Sequence, residues 1–141
     1  MLEFANRIVK ENLIIKSFEY WSIAIRTNQV NVGSCIIVLN RECATLPEVT
    51  PEEMAEYPIV CKWFEEKCKK LYGAEKFNYL ALMMVDEYVH FHAIPRYSKP
   101  IEEYGIIWED RGWPKFPDMK GTETTEEQLL QIKMDFKESW K

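Results

Sequence analysis

The only two histidines of the chain stand two residues apart in Tyr88-Val89-His90-Phe91-His92-Ala93-Ile94-Pro95-Arg96. Their neighbours are β-branched, aromatic or otherwise apolar, a composition that predicts a strand. On a strand, side chains alternate between faces, which puts Tyr88, His90 and His92 on one face and Val89, Phe91 and Ala93 on the other. A chain with this stretch has to pack one face against a core and leave two imidazoles and a phenol in front. The spacing admits three readings: hydrogen-bonded or surface histidines, a pair facing a ligand, or a metal pair. A metal pair needs one or two further ligands. There is no third histidine and no Cys-x-x-Cys pair, so no metal is expected.

The rest of the composition bounds the setting. At 141 residues the chain is the size of one domain, and 47% apolar and 13% aromatic residues are enough for a substantial core. A net charge of −5 argues against non-specific binding to nucleic acid or an anionic membrane, either of which favours a basic surface. No apolar run reaches the ~18–20 residues of a membrane span, and no secretory signal is evident. Cys35, Cys43, Cys61 and Cys68 form no disulfide framework, so free thiols and a cytoplasmic setting are expected. Cys61 and Cys68 lie ~10.5 Å apart along one helix face, too far to bridge.

Taken in order, residues 2–11 have helical spacing, and strands are expected at 13–15, 22–25 and 34–39 with a polar, Gly-terminated loop at 27–33. Thr50-Pro51-Glu52-Glu53 is a strong helix start, with a capping box and proline at the first position. That helix should run to about Tyr72 and stop at Gly73, kinked or divided at Pro58, with Ile59, Val60, Trp63, Phe64 and Leu71 in its apolar stripe. Residues 77–85 form a strand candidate joined by a tight Asp86-Glu87 connection to the histidine strand, with Met83-Met84 filling the core. A last helix is expected over 125–139.

The histidine stretch resembles the signature of the histidine triad superfamily of nucleotide hydrolases and transferases, in which three histidines alternate with apolar residues. Here Tyr88 stands in the first histidine position and His90 and His92 in the other two, followed by Pro95-Arg96. The lead-in from Asn78-Tyr79-Leu80 to Asp86, together with Trp21 to Gly33 and Ile36 to Val38, is also similar to members of this family. The likeness covers about residues 13–118. It implies a single α+β domain over 1–141 with the histidine triad fold: an antiparallel sheet, a packed central helix and a C-terminal helical extension at about 122–141.

The resemblance also implies a chemistry. The middle histidine, His90, attacks the α-phosphate of a nucleotide and forms a covalent nucleotidyl-histidine that water hydrolyses; a backbone carbonyl holds its other nitrogen. His92 contacts the phosphate. Tyr88, Arg26 at the strand end near the ribose, Asn78 and Arg96 are the substrate-contact candidates, with Lys99 beside Arg96. Trp108, Trp113 and Phe116 either stack on a base or close the core. The resemblance implies a nucleotide ligand, no cofactor and a homodimer. It departs from the family at Tyr88, which is not a readily titrating base at pH 7, and at Met84 and Val85, where many members carry glutamine and then serine or threonine. A nucleotide hydrolase acting on a dinucleoside polyphosphate or an adenylylated adduct is the leading expectation. The alternatives are a nucleotide-binding protein weakened in catalysis and a structural domain with satisfied histidines.

Overall fold

The computed structural model describes residues 9–138, so the expected helix at 2–11 falls mostly outside the described residues. Within them, residues 11–13 make one tight turn that leads into β1 (Ile14–Ser17). β2 (Trp21–Ile25) and β3 (Cys35–Leu39) follow, both buried along their whole length. Next come α1 (Pro51–Tyr72), β4 (Lys76–Leu80) and β5 (His90–Arg96). A small hairpin, β6 (Ile101–Glu103) with β7 (Ile106–Trp108), precedes α2 (Glu126–Glu138). The mixed α+β class and the antiparallel sheet are as expected.

The main sheet has five antiparallel strands in the order β1-β2-β3-β5-β4. Its register sorts the side chains. Trp21, Ile23, Ile25, Ile37, Leu39, Phe91, Phe77 and Tyr79 point to one face and join Val60, Phe64 and Cys68 of α1 and Ile132 and Phe136 of α2 in the principal core. Phe64 stacks on Phe136 with centroids 6.4 Å apart, and the Trp21 indole N–H donates to the Glu53 carbonyl at 2.8 Å. Phe77, Tyr79 and Phe91 are partly buried; each fully buried side chain of the group contributes ~1.5–3 kcal/mol, so this face carries most of the stability. On the opposite face Ala24, Ile36 and Val38 make a smaller cluster with Val9 and Ile14, and here the histidines emerge.

α1 begins as its sequence dictates. The Thr50 side chain accepts from the Glu53 N–H while the Glu53 carboxylate accepts from the Thr50 N–H, and Gly73 closes the helix in the left-handed region at φ 69°. The helix runs through Pro58 as one 22-residue element. The apolar stripe differs from the expected one: Ile59 is exposed, whereas Lys67 is buried, with its ammonium 5.4 Å from the centre of the Trp63 ring.

The hairpin before the histidines is where the expectation fails. β4 stops at Leu80, and residues 81–89 form an irregular connection instead of a strand with a tight turn. The backbone hydrogen bonds explain it. The Val89 N–H donates to the Cys43 carbonyl at 2.7 Å, and the Tyr88 carbonyl is engaged by the His90 ring. The chain is thus drawn toward residues 40–43 before β5 begins, leaving nothing for residues beyond Leu80 to pair with. Met84 is consequently exposed and fills no core.

Candidate functional site

β5 begins at His90, so strand alternation places His90 and His92, but not Tyr88, on a common face. Tyr88 lies in the connection before the strand. Its hydroxyl reaches Glu42 Oε2 at a long 3.5 Å. Across the sheet, His90 is opposite Val38, and His92 is flanked by Ile36 on one side and Leu80 on the other. The two imidazoles stand 5.1 Å apart, nearly perpendicular at 82°.

The two rings are held differently. His90 is buried, and its Nδ1 lies 2.7 Å from the Tyr88 carbonyl oxygen. A carbonyl only accepts, so Nδ1 carries a proton, and in the neutral ring Nε2 is the nitrogen with the lone pair. His92 has a buried Nδ1 with no hydrogen-bond partner among the described residues. Burial pushes its pKa down to about 4; the charges of Arg26 and of His90 push the same way, and Asp86 opposes them. At neutral pH His92 is therefore an uncharged ring with hydrogen-bonding capacity to spare, and Arg26 supplies the positive charge beside it.

Arg26 extends the β2 ladder, its backbone N–H donating to Ser34 at 3.0 Å. By the same alternation it shares the histidine face. Its guanidinium donates to the Asn28 carbonyl at 2.7 Å and is held partly out of solvent, which lowers its pKa. The loop behind it is ordered by Gln29, a residue with no recognisable signal in the sequence. The fully buried Gln29 amide donates to the carbonyls of Arg26 and Ser34, both at 2.7 Å, and accepts from the N–H groups of Gly33 and Ser34. Asn31 donates to the Pro95 carbonyl at 2.9 Å, tying the loop to the end of β5. A cavity of about 520 Å³ opens between Thr27 and Asn28 on one side and residues 120–124 on the other.

Asn78 and Arg96 are brought together, but in a different arrangement. Arg96 forms a two-pronged buried pair with Asp110, Nε to Oδ2 at 2.6 Å and Nη2 to Oδ1 at 3.0 Å, and its Nη1 donates to Asn78 Oδ1 at 2.6 Å. This guanidinium is committed to locking β4 and β5 to the segment after β7. Lys99 is exposed beyond the strand. Trp108 is buried in the core and Phe116 is exposed. Among the described residues no group of three or more His, Cys, Asp or Glu is placed to hold a metal ion, and no helix is long and apolar enough to cross a membrane.

The site is thus an imidazole tied through Nδ1 to the main chain, a neutral imidazole and a guanidinium, on the sheet face that carries the small buried cluster of Ala24, Ile36 and Val38. No known protein family and no curated protein matches the sequence. Solved structures do match in three dimensions. A histidine triad nucleotide-binding protein from Sulfolobus tokodaii is 17% identical, with a TM-score of 0.69 over 90% of this chain and 82% of that one. A histidine triad protein from Sinorhizobium meliloti is 22% identical, with a TM-score of 0.69 over 88% and 86%. Plasmodium falciparum diadenosine triphosphate hydrolase is 10% identical, with a TM-score of 0.65 over 93% and 78%. What the chain shares with all three is the histidine triad fold.

Proposed function

We propose that this histidine triad fold serves a nucleotide hydrolase that cleaves at an α-phosphate through a covalent intermediate on His90. The observation that carries the reading is the 2.7 Å contact from His90 Nδ1 to the Tyr88 carbonyl, which in the neutral ring makes Nε2 the nucleophilic nitrogen. Nε2 attacks phosphorus as the bond to the leaving group breaks, and the leaving atom takes the bonding pair. Main-chain acceptance of the Nδ1 proton stabilises the resulting imidazolium-like nucleotidyl-histidine. Water then attacks phosphorus, the P–N bond breaks back to neutral His90, and the mononucleotide is released. His92 donates a hydrogen bond to the phosphoryl oxygens and Arg26 offsets their charge.

The test is mass spectrometry of the protein mixed with AMP esters, anhydrides and amidates. An AMP–protein adduct and released AMP are expected, and His90→Ala should abolish both. Release of AMP unchanged by that substitution would sink the assignment of His90. A second reading, a nucleotide-binding protein with little turnover, is favoured by one observation: Tyr88 lies off the strand with its hydroxyl toward Glu42, so no titrating side chain occupies the first triad position. Nucleotide-induced thermal stabilisation without AMP release would select it. A cytoplasmic homodimer completes the proposal, and analytical ultracentrifugation tests its assembly.

A further inference from the structure

Arg26 is the one member of the site whose direction the sheet does not set. It follows β2 directly, two residues after Ala24, which lies opposite Ile36; Ile36 in turn lies opposite His92. A long side chain at the end of a strand ordinarily samples many rotamers, and gathering them onto a ligand costs affinity or rate. Here the guanidinium is caught, with Nη1 donating to the Asn28 carbonyl at 2.7 Å. The group is planar and rigid, so fixing one prong fixes the direction of the others.

Asn28 is itself held from a distant part of the chain. Its side-chain amide donates to the Lys120 carbonyl at 3.1 Å, across 92 positions of sequence. The Thr122 N–H donates to the Gln29 carbonyl at 2.8 Å in an antiparallel bridge, and the Thr124 hydroxyl reaches the Thr27 carbonyl at a long 3.4 Å. Residues 27–29 are therefore strapped from outside by residues 120–124 and from inside by the buried Gln29 amide, which donates to the Arg26 carbonyl at 2.7 Å. The crossing is tight: Gly121 sits at φ 79°, and a Cβ there would fall 1.6 Å from Asn28 Oδ1. The strap leads straight into α2, which is anchored in the principal core by Leu129, Ile132 and Phe136.

We propose that Asn28 is a positioning residue for Arg26 and that the strap 120–124 is its support, together aiming the guanidinium at the anionic group of a substrate over His92. This rests on the hydrolase reading above. Asn28 acts through Arg26 alone: it sets the cation before the substrate arrives, so that less order has to be created on binding or in the transition state. The segment before α2 thereby enters the site without reaching the reacting atoms.

The experiment follows the His92 imidazole titration by NMR, and AMP release from adenosine 5′-phosphoramidate and from diadenosine triphosphate. It uses the full chain and its Asn28→Ala, Gly121→Ala, Arg26→Ala and combined Arg26→Ala, Asn28→Ala variants. Asn28 is exposed, so its truncation leaves the fold intact. The charge of Arg26 lowers the His92 pKa, so a guanidinium released from its place should let that pKa rise. Asn28→Ala and Gly121→Ala should each give most of the rise that Arg26→Ala gives and lower kcat/KM by about tenfold. Asn28→Ala should cost nothing further once Arg26 is gone. An unmoved His92 titration, or an equal loss with and without Arg26, overturns the proposal while the hydrolase reading stands. Absence of AMP release by the parent chain overturns the hydrolase reading, and the titrations then decide by themselves whether Asn28 holds Arg26.

Discussion

His90 Nδ1 and the carbonyl oxygen of Tyr88 are 2.7 Å apart, a contact made by the main chain and not by the tyrosine side chain. The contact that orients the His90 ring is therefore independent of which side chain stands at position 88. Tyr88→Phe should keep adduct formation and AMP release within about threefold of the parent, since the carbonyl that holds His90 belongs to the main chain. Quenched-flow measurement of the adduct checks this.

Arg26 should matter more. It acts on His92 through charge, and its guanidinium approaches the face on which phosphate would sit. Arg26→Ala is expected to lower kcat/KM by about 10²-fold, the scale of losing one donor to a developing phosphoryl charge. The same substitution removes a positive neighbour and should raise the His92 pKa, as should a bound phosphate in the parent. Imidazole titration by NMR reads both shifts.

Acid should weaken the fold in two stages. His92 titrates at about 4 in the folded chain against 6.5 for a free imidazole, so below pH 6.5 the unfolded chain binds the proton first. Stability is then full above pH 6.5 and declines as pH falls toward 4. The Glu53 carboxylate is held at about 2 by its hydrogen bonds to Arg41 and then by those to Thr50, against a usual 4.5. Its contribution is present above pH 4.5 and lost as pH falls toward 2. Urea midpoints across the acid range should show both declines, with the first missing in His92→Asn.

Arg96→Leu should be costly without touching the chemistry. It strands the Asp110 carboxylate, which is 1% exposed, and removes the donor to Asn78 Oδ1. Breaking a buried pair from one side costs about 3–5 kcal/mol. Equilibrium unfolding should register that loss, while kcat per folded molecule at low temperature stays near that of the parent.

The legible and illegible parts of the sequence divide along local and non-local physics. The start of α1 at Thr50, its stop at Gly73, and strands β2 and β3 follow from caps and β-branched runs whose partners are near in sequence. The position of His90 and His92 on one face follows from alternation. The early end of β4 does not, because Leu82, Met84 and Val85 have strand-forming character and only the pairing of Val89 with Cys43 leaves them without a neighbour. Arg96 and Gln29 look like surface residues until Asp110 and the backbone of residues 26–34 fold around them.

The termination of β4 at Leu80 also has a consequence in time. The amides of β3 and β5 are protected by ladders on both sides, and their hydrogen isotope exchange should require opening of the whole sheet. Those of residues 83–87 lie outside any ladder and should exchange orders of magnitude sooner. Among the described residues, long-protected and quickly exchanging backbone then meet at His90. Residues 83–87 can be exchanged through mutation with little disturbance to the strand that holds the two histidines.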